Sequence, residues 1–415
     1  MVYADTSLGA GNTVMNTTPP IDELGVPKFS LAERDRRWAR VRALMARDGL
    51  DAIYAPPNTG QFDTFQANVR YLTGLGGNHA PAAAVFPAVG GVTAITSPDV
   101  DVSISQQRQD WVSDIRKIST GWGFAGAVVD RVKELGGVRR LGITGLSGNT
   151  RFPEGTTSHG MVMKLSQELP DVEILNANAL MEEVRFVKSD EEISFLAQAE
   201  VLVERAIDVM ASEAREGVPE NVVYARMLAS IIESGGDLPS MILWSAGWPQ
   251  PPSNSYQPTR RKLRQGDMVL VEAEARWGGY IAQVTQPMFI GRAPSEYHTM
   301  FARQQEATQR AYELLKPGET VGAIAAAVAE MSDAHYDCRI LMHGRGLGDD
   351  SPIAIHQPRD ATMANWQFEE NCAFIIKPMV ASKDGTKRIY WGDSVVCGRD
   401  GARRLGSRSP AIIEV

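Results

Sequence analysis

The sequence predicts an α/β N-terminal domain followed by an α+β C-terminal domain. Three observations carry this. At 415 residues the chain exceeds one ordinary domain, since a domain takes about 100–200 residues. Up to about residue 178, short apolar runs alternate with helical patterns, the signature of an α/β layer. Beyond that point come long helices, one glycine-turned hairpin and short strands. We therefore expect an arm over 1–27, the first domain over 28–180 and the second over 181–415.

Along the first domain, Leu31, Trp38, Val41, Leu44 and Met45 recur at helical spacing until Gly49 stops the run. Strands are expected at Asp51–Tyr54, Asn68–Gly74, Ala82–Phe86, Gly91–Thr96, Arg140–Thr144 and Val172–Leu175, between Gly and Pro breaks. Helices are expected around 124–135 and 160–168. In the second domain, Ser189 followed by Glu192 forms a capping box that opens a long helix. A helix over Glu220–Glu233 follows, then a hairpin in which Gly278-Gly279 joins 268–275 to 280–290. Two more helices are expected over 295–315 and 320–336.

Composition narrows the function. Hydrophobic residues make up 43% of the chain, and the net charge is −8 without any basic block. A nucleic-acid surface is thus not expected. No window is apolar enough to span a bilayer: Ala80–Thr96 is broken by Pro81, Pro87, Gly90 and Gly91. Residues 1–27 contain no Lys or Arg, so no secretory signal is expected, and we expect a cytoplasmic protein. Cys338, Cys372 and Cys397 have no motif around them and read as buried structural thiols.

Several charged residues sit where apolar strands should exclude them. Glu272 and Glu274 follow Val269-Leu270-Val271 and, two apart on a strand, share one face. Burying a carboxylate costs several kcal/mol unless it is paired, so a site or a structural arginine is required. Lys377 follows Phe374-Ile-Ile376 and poses the same question, with Glu272 or Glu274 as its counter-ion. His343 lies in a glycine-rich stretch at a strand end; as neutral imidazole it would relay a proton near pH 7. Asp349 and Asp350 read as loop residues, with a solvated turn as the plainer reading. Trp244, Trp248 and Tyr256 lie in or beside a Pro-rich loop suited to clasping an apolar or cationic substrate, or simply to packing.

In this order, Asn68-Val-Arg-Tyr-Leu-Thr-Gly74, Arg185-Phe-Val-Lys-Ser-Asp-Glu-Glu-Ile193, the hairpin, Leu315-Lys-Pro-Gly318 and His343-Gly-Arg-Gly346 resemble landmarks of the pita-bread superfamily of creatinase, prolidase, aminopeptidase P and methionine aminopeptidase. The resemblance implies a creatinase-like first domain and a pita-bread catalytic second domain. Metallopeptidases of this fold hold two divalent metals with two Asp, one His and two Glu. Here those positions fall on Glu272, Gln283, His343, Lys377 and Gly392. A lysine ammonium presents only donors and cannot ligate a cation while charged. The sequence therefore looks like the branch containing creatinase and ectoine hydrolase, which work without metal.

From this we expect a metal-independent hydrolase of a non-peptide C–N bond in a small molecule, with no cofactor and no metal ligands. Glu272, Glu274, His343, Lys377 and Asp349 are the expected catalytic residues; Tyr256, Trp248, Trp244, His356 and Gln283 are the expected substrate contacts. His356 rests on a loose match to a second substrate-contacting histidine of the peptidases. The catalytic histidine of creatinase has no counterpart in 244–258, where Tyr256 or Ser255 falls nearest its position. Met342–Pro352 is also similar to pita-bread dimethylsulfoniopropionate lyases, whose proposed base falls on Asp349; elimination is the alternative reaction. A mononuclear metal site on Glu272, Glu274 and His343, or a non-catalytic binding protein, are further alternatives. By resemblance a homodimer is expected.

Overall fold

The computed structural model describes residues 21, 25–57, 66–77, 81–119, 123–147, 154–239, 241–249 and 258–415. The first domain is a six-stranded mixed sheet in the order Asp114–Lys117, Thr93–Thr96, Ala82–Pro87, Ala52–Ala55, Arg140–Ile143, Glu173–Asn176. Its central strands are buried throughout, as sheets covered on both faces by helices must be. The helix Leu31–Asp48 starts on Ser30, whose side chain accepts from the Glu33 amide, and ends at left-handed Gly49. Val41 and Met45 carry its buried stripe.

Asn68–Gly74 corrects the sequence reading. Residues Ala67–Thr73 form a helix that Gly74 caps in the left-handed region at φ 71°. Five of its seven residues are buried, so the run was apolar because it is enclosed, and periodicity alone does not separate a short buried helix from a strand.

The second domain contains two sheets. One holds Ile413–Glu414, Tyr280–Phe289, Met268–Trp277 and Ile242–Gly247 in that order. The other runs Arg388–Tyr390, Met379–Ser382, Tyr336–Arg345, Ala373–Ile376, Asp393–Cys397, Ala402–Arg404, with Asp349–His356 paired beside Tyr336–Arg345. The bridge between Thr285 and Gly392 joins the sheets. Helices Asp190–Glu213, Glu220–Glu233, Ser295–Leu314 and Val321–Ala329 pack outside, and the Ser189–Glu192 capping box forms in full. The last of these helices is shorter than expected. Asp333 accepts the amides of His335 and Tyr336 and turns the chain into the next strand.

The hairpin sets the site. Met268–Trp277 pairs antiparallel with Tyr280–Phe289 along its whole length. Gly278 and Gly279 take φ of 56° and 88°, the pair of positive values that a two-residue primed turn requires. Register then places Glu272 opposite Thr285 and Glu274 opposite Gln283.

Arg37 ties the domains together. Its buried guanidinium contacts Glu33 at 2.6 Å and donates to the Tyr280 hydroxyl at 2.9 Å. It also lies 4.3, 4.5 and 5.1 Å from the ring centres of Phe29, Tyr71 and Trp111.

Candidate active site

Five strands bring the site residues together. Glu272 and Glu274 come from the first hairpin strand and Gln283 from the second. His343 and Arg345 end the strand Tyr336–Arg345, and Asp349 opens the strand paired with it. Lys377 follows Ala373–Ile376. The register His343↔Ile375 and His343↔Ile353 aligns these strands side by side.

Each carboxylate has its own cation. Lys377 Nζ donates to Glu272 Oε2, Gln283 Nε2 donates to the same oxygen at 3.2 Å, and the Tyr390 hydroxyl donates to Glu272 Oε1 at 3.1 Å. Arg345 Nη2 sits 2.8 Å from Glu274 Oε1 and also donates to the Gln283 side-chain oxygen Oε1. Gln283 thereby links the two pairs. Glu274 Oε2 is buried without a hydrogen-bond partner among the described residues.

The two glutamates differ in consequence. Burial pushes both carboxyls up. At Glu272 the charge and hydrogen bond of Lys377, helped by Tyr390, overcome this and hold it below the ordinary range. At Glu274 the more distant help of Arg345 and Arg276 does not, and its pKa is raised. Neighbouring acids driven apart in this way divide an ionised role from a proton-carrying one.

His343 Nδ1 lies 2.5 Å from Asp349 Oδ1, with both side chains buried. Burial lowers the imidazole to about 3, because Arg345 and Lys377 reinforce the desolvation that Asp349 opposes. The sequence suggested a proton relay near pH 7, whereas burial holds the imidazole neutral far below that pH, so it does not titrate near neutrality. Asp349 is likewise committed to His343, on a strand rather than in a solvated loop. Asp350 is held by Arg185 at 3.0 Å and Lys188 at 3.1 Å, so the Arg185–Lys188 segment anchors the turn behind the site.

A stability prediction follows from His343. Its folded pKa of about 3 lies below the ordinary 6.5, so the unfolded chain alone takes up the proton as pH falls. The stabilisation is complete above pH 6.5 and is lost on acidification, with a slope of at most about 1.4 kcal/mol per pH unit. Urea titrations between pH 7 and 5 should show this slope, and His343→Gln should flatten it by about one proton. An unchanged slope in the variant would place the proton elsewhere.

The other expected contacts separate. Trp244 is a correction: it is fully buried and donates Nε1 to Glu220 at 3.1 Å, which leaves no face for a substrate. Trp248 is half exposed but packs near Phe289 and Tyr297, at the far end of the hairpin from the site. His356 ends its strand at φ 68° with an exposed ring, three residues beyond the partner of His343. Tyr256 lies outside the described residues. Arg345 and Tyr390 are members of the constellation that the sequence reading missed. A cation beside His343, on a strand facing two buried carboxylates, was the available signal for Arg345; Tyr390 carried none.

Comparison with known proteins agrees with this architecture. A family model described as Creatinase/Prolidase N-terminal domain matches residues 37–187, and one described as Metallopeptidase family M24 matches 194–399. The chain belongs to the pita-bread creatinase/prolidase superfamily. It is 21% identical over 375 residues to an Xaa-Pro dipeptidase of Pyrococcus horikoshii, covering 88% of this chain and 95% of that protein. It is 22% identical over 377 residues to creatinase of a Bacillus species, covering 88% and 86%. The solved X-Pro aminopeptidase of Thermotoga maritima superposes with a TM-score of 0.72 at 19% identity, covering 91% of this chain and all of that one. The narrower similarity to dimethylsulfoniopropionate lyases is not shown by these matches.

These names overturn the expected metal-independent hydrolysis of a non-peptide C–N bond. The relatives are called Xaa-Pro dipeptidase and prolidase, and the reading moves to a peptidase-like hydrolase. The family description also implies metal, but the residues present do not fit a two-metal centre. An ammonium and a guanidinium already hold Glu272 and Glu274, and Gln283 presents an amide. A Cβ at Gly392 would collide with the Ile376 carbonyl and with Lys377. Among the described residues, no three His, Cys, Asp or Glu are grouped to hold a metal ion.

Proposed function

We propose that the chain is a peptidase-like hydrolase that cleaves an amide bond in a small substrate of the Xaa-Pro dipeptide kind. The observation that carries this reading is Glu274: a buried carboxylate with one unpartnered oxygen and a raised pKa, beside a glutamate fixed as an anion. A carboxylate whose pKa is moved toward neutrality can take a proton from attacking water and return it to the leaving nitrogen. His343, oriented by Asp349, accepts a hydrogen bond from the water or the substrate and keeps no charge of its own. Lys377 and Arg345 supply positive charge where the carbonyl oxygen becomes anionic. Gln283 and Tyr390 hold the two carboxylate pairs in register.

Steady-state hydrolysis of an Xaa-Pro dipeptide tests this. Glu274→Gln keeps the shape but cannot carry the proton, and kcat should fall about 10²–10⁴-fold. In the wild type, kcat/KM should decline as pH falls through the raised Glu274 pKa, because the carboxylate must be ionised to accept the first proton. A variant with undiminished turnover would remove Glu274 from the mechanism.

A further inference from the structure

Away from the charged constellation, Cys372 and Cys397 face each other across two strands. The pairing Ala373↔Val396 continues outward by one step to these residues, and the Cys397 amide donates to the Cys372 carbonyl at 2.8 Å. Both thiols are fully buried. Directly opposed residues of an antiparallel pair have Cα atoms about 4.5–5.5 Å apart, inside the range a disulfide spans. Cys338 lies on a different strand, opposite Val380.

We propose that Cys372 and Cys397 are a modification site, a cross-strand thiol pair that a disulfide oxidant of the glutathione type converts to a cystine. One thiol, on losing its proton, attacks a sulfur of the oxidised glutathione and expels one glutathione. The second thiol displaces the other. Two protein thiols are oxidised, and one glutathione disulfide is reduced to two thiols.

Access comes from the strand ends. Cys372 follows exposed Glu370 by two residues, and Cys397 precedes exposed Arg399 by two. Glu370 and Arg399 form only a surface ion pair, at 3.3 Å, and such pairs hold weakly. Opening of these two turns bares the thiols while the strands behind them stay paired. The cystine would close a loop of about 25 residues and restrict the unfolded chain. It would also staple the strand leading into Lys377 to the strand leaving Gly392.

The test incubates the native protein with excess oxidised glutathione to a plateau, alkylates under denaturing conditions and maps the peptides by mass. The expected result is a Cys372–Cys397 linked peptide, with alkylated thiols falling from three to one and Cys338 remaining free. Dithiothreitol should restore all three. The oxidised form should melt several degrees higher, and Cys397→Ser should abolish both the linkage and the shift. Three alkylated thiols at the plateau, a glutathione adduct that never closes, or a bridge to Cys338 would each overturn the proposal.

Discussion

Replacing Lys377 with methionine should cost the folded protein about 3–5 kcal/mol, because it strips a largely buried carboxylate of its cation. The Lys377 side chain is 2% exposed and that of Glu272 is 14% exposed. Little water is available to substitute for the ammonium. Gln283 and Tyr390 would still donate to Glu272, but two neutral donors do not replace a charge. Glu272 would then lose the partner that holds its pKa down and would take up a proton nearer neutrality. The double variant Glu272→Gln/Lys377→Met should recover most of the lost stability, since removing both charges removes the uncompensated one. Urea unfolding of the four proteins in this cycle measures the coupling. A coupling energy below about 0.5 kcal/mol, the level at which independent sites add, would mean that the pair is not formed.

The second large effect should come from Arg37→Met. Its guanidinium serves Glu33 and the Tyr280 hydroxyl, and Tyr280 in turn donates to Glu192 at 2.7 Å. Losing it leaves two buried glutamates short of positive charge, although Arg36 still contacts both. A loss of about 3–5 kcal/mol is expected, as for a broken buried ion pair. Part of the penalty is the cation–π contact with Phe29, Tyr71 and Trp111. Because Tyr280 opens the hairpin strand that carries Gln283, the substitution should also loosen the site. Chemical denaturation gives the stability, and the KM of the same variant reports the site. A loss under 1 kcal/mol would show that Arg36 alone carries the junction.

Much of this architecture was legible in the residues. The Ser189–Glu192 capping box, the Gly278-Gly279 turn and the Glu220–Glu233 helix all formed where the local chemistry placed them. Each depends on interactions within a few residues. Asn68–Gly74 failed because a seven-residue apolar run carries no usable period once both its faces are buried. Asp349, an expected catalytic residue, was placed in a loop rather than on a strand because its partner, His343, is supplied by strand pairing rather than by sequence proximity.

The site divides in the same way. Glu272, Glu274 and Lys377 stood out as charges in apolar strands, and the structure brings all three together. Which cation meets which carboxylate was not readable, because it depends on the register of strands far apart in the sequence. That register decides the chemistry: Lys377 falls on Glu272, Arg345 falls on Glu274, and the two acids separate in pKa. The aromatic residues misled for a related reason. Trp244 was read from its neighbours in a Pro-rich segment, whereas a strand turns it into the core to meet Glu220.

Hydrolysis of an Xaa-Pro dipeptide in oxygen-18 water tests the central claim most directly. The account predicts one solvent oxygen in the new carboxylate, one free proline nitrogen released for each bond cut, and loss of both in Glu274→Gln. Release of an unsaturated product without solvent oxygen, or label incorporation that survives in Glu274→Gln, would contradict it.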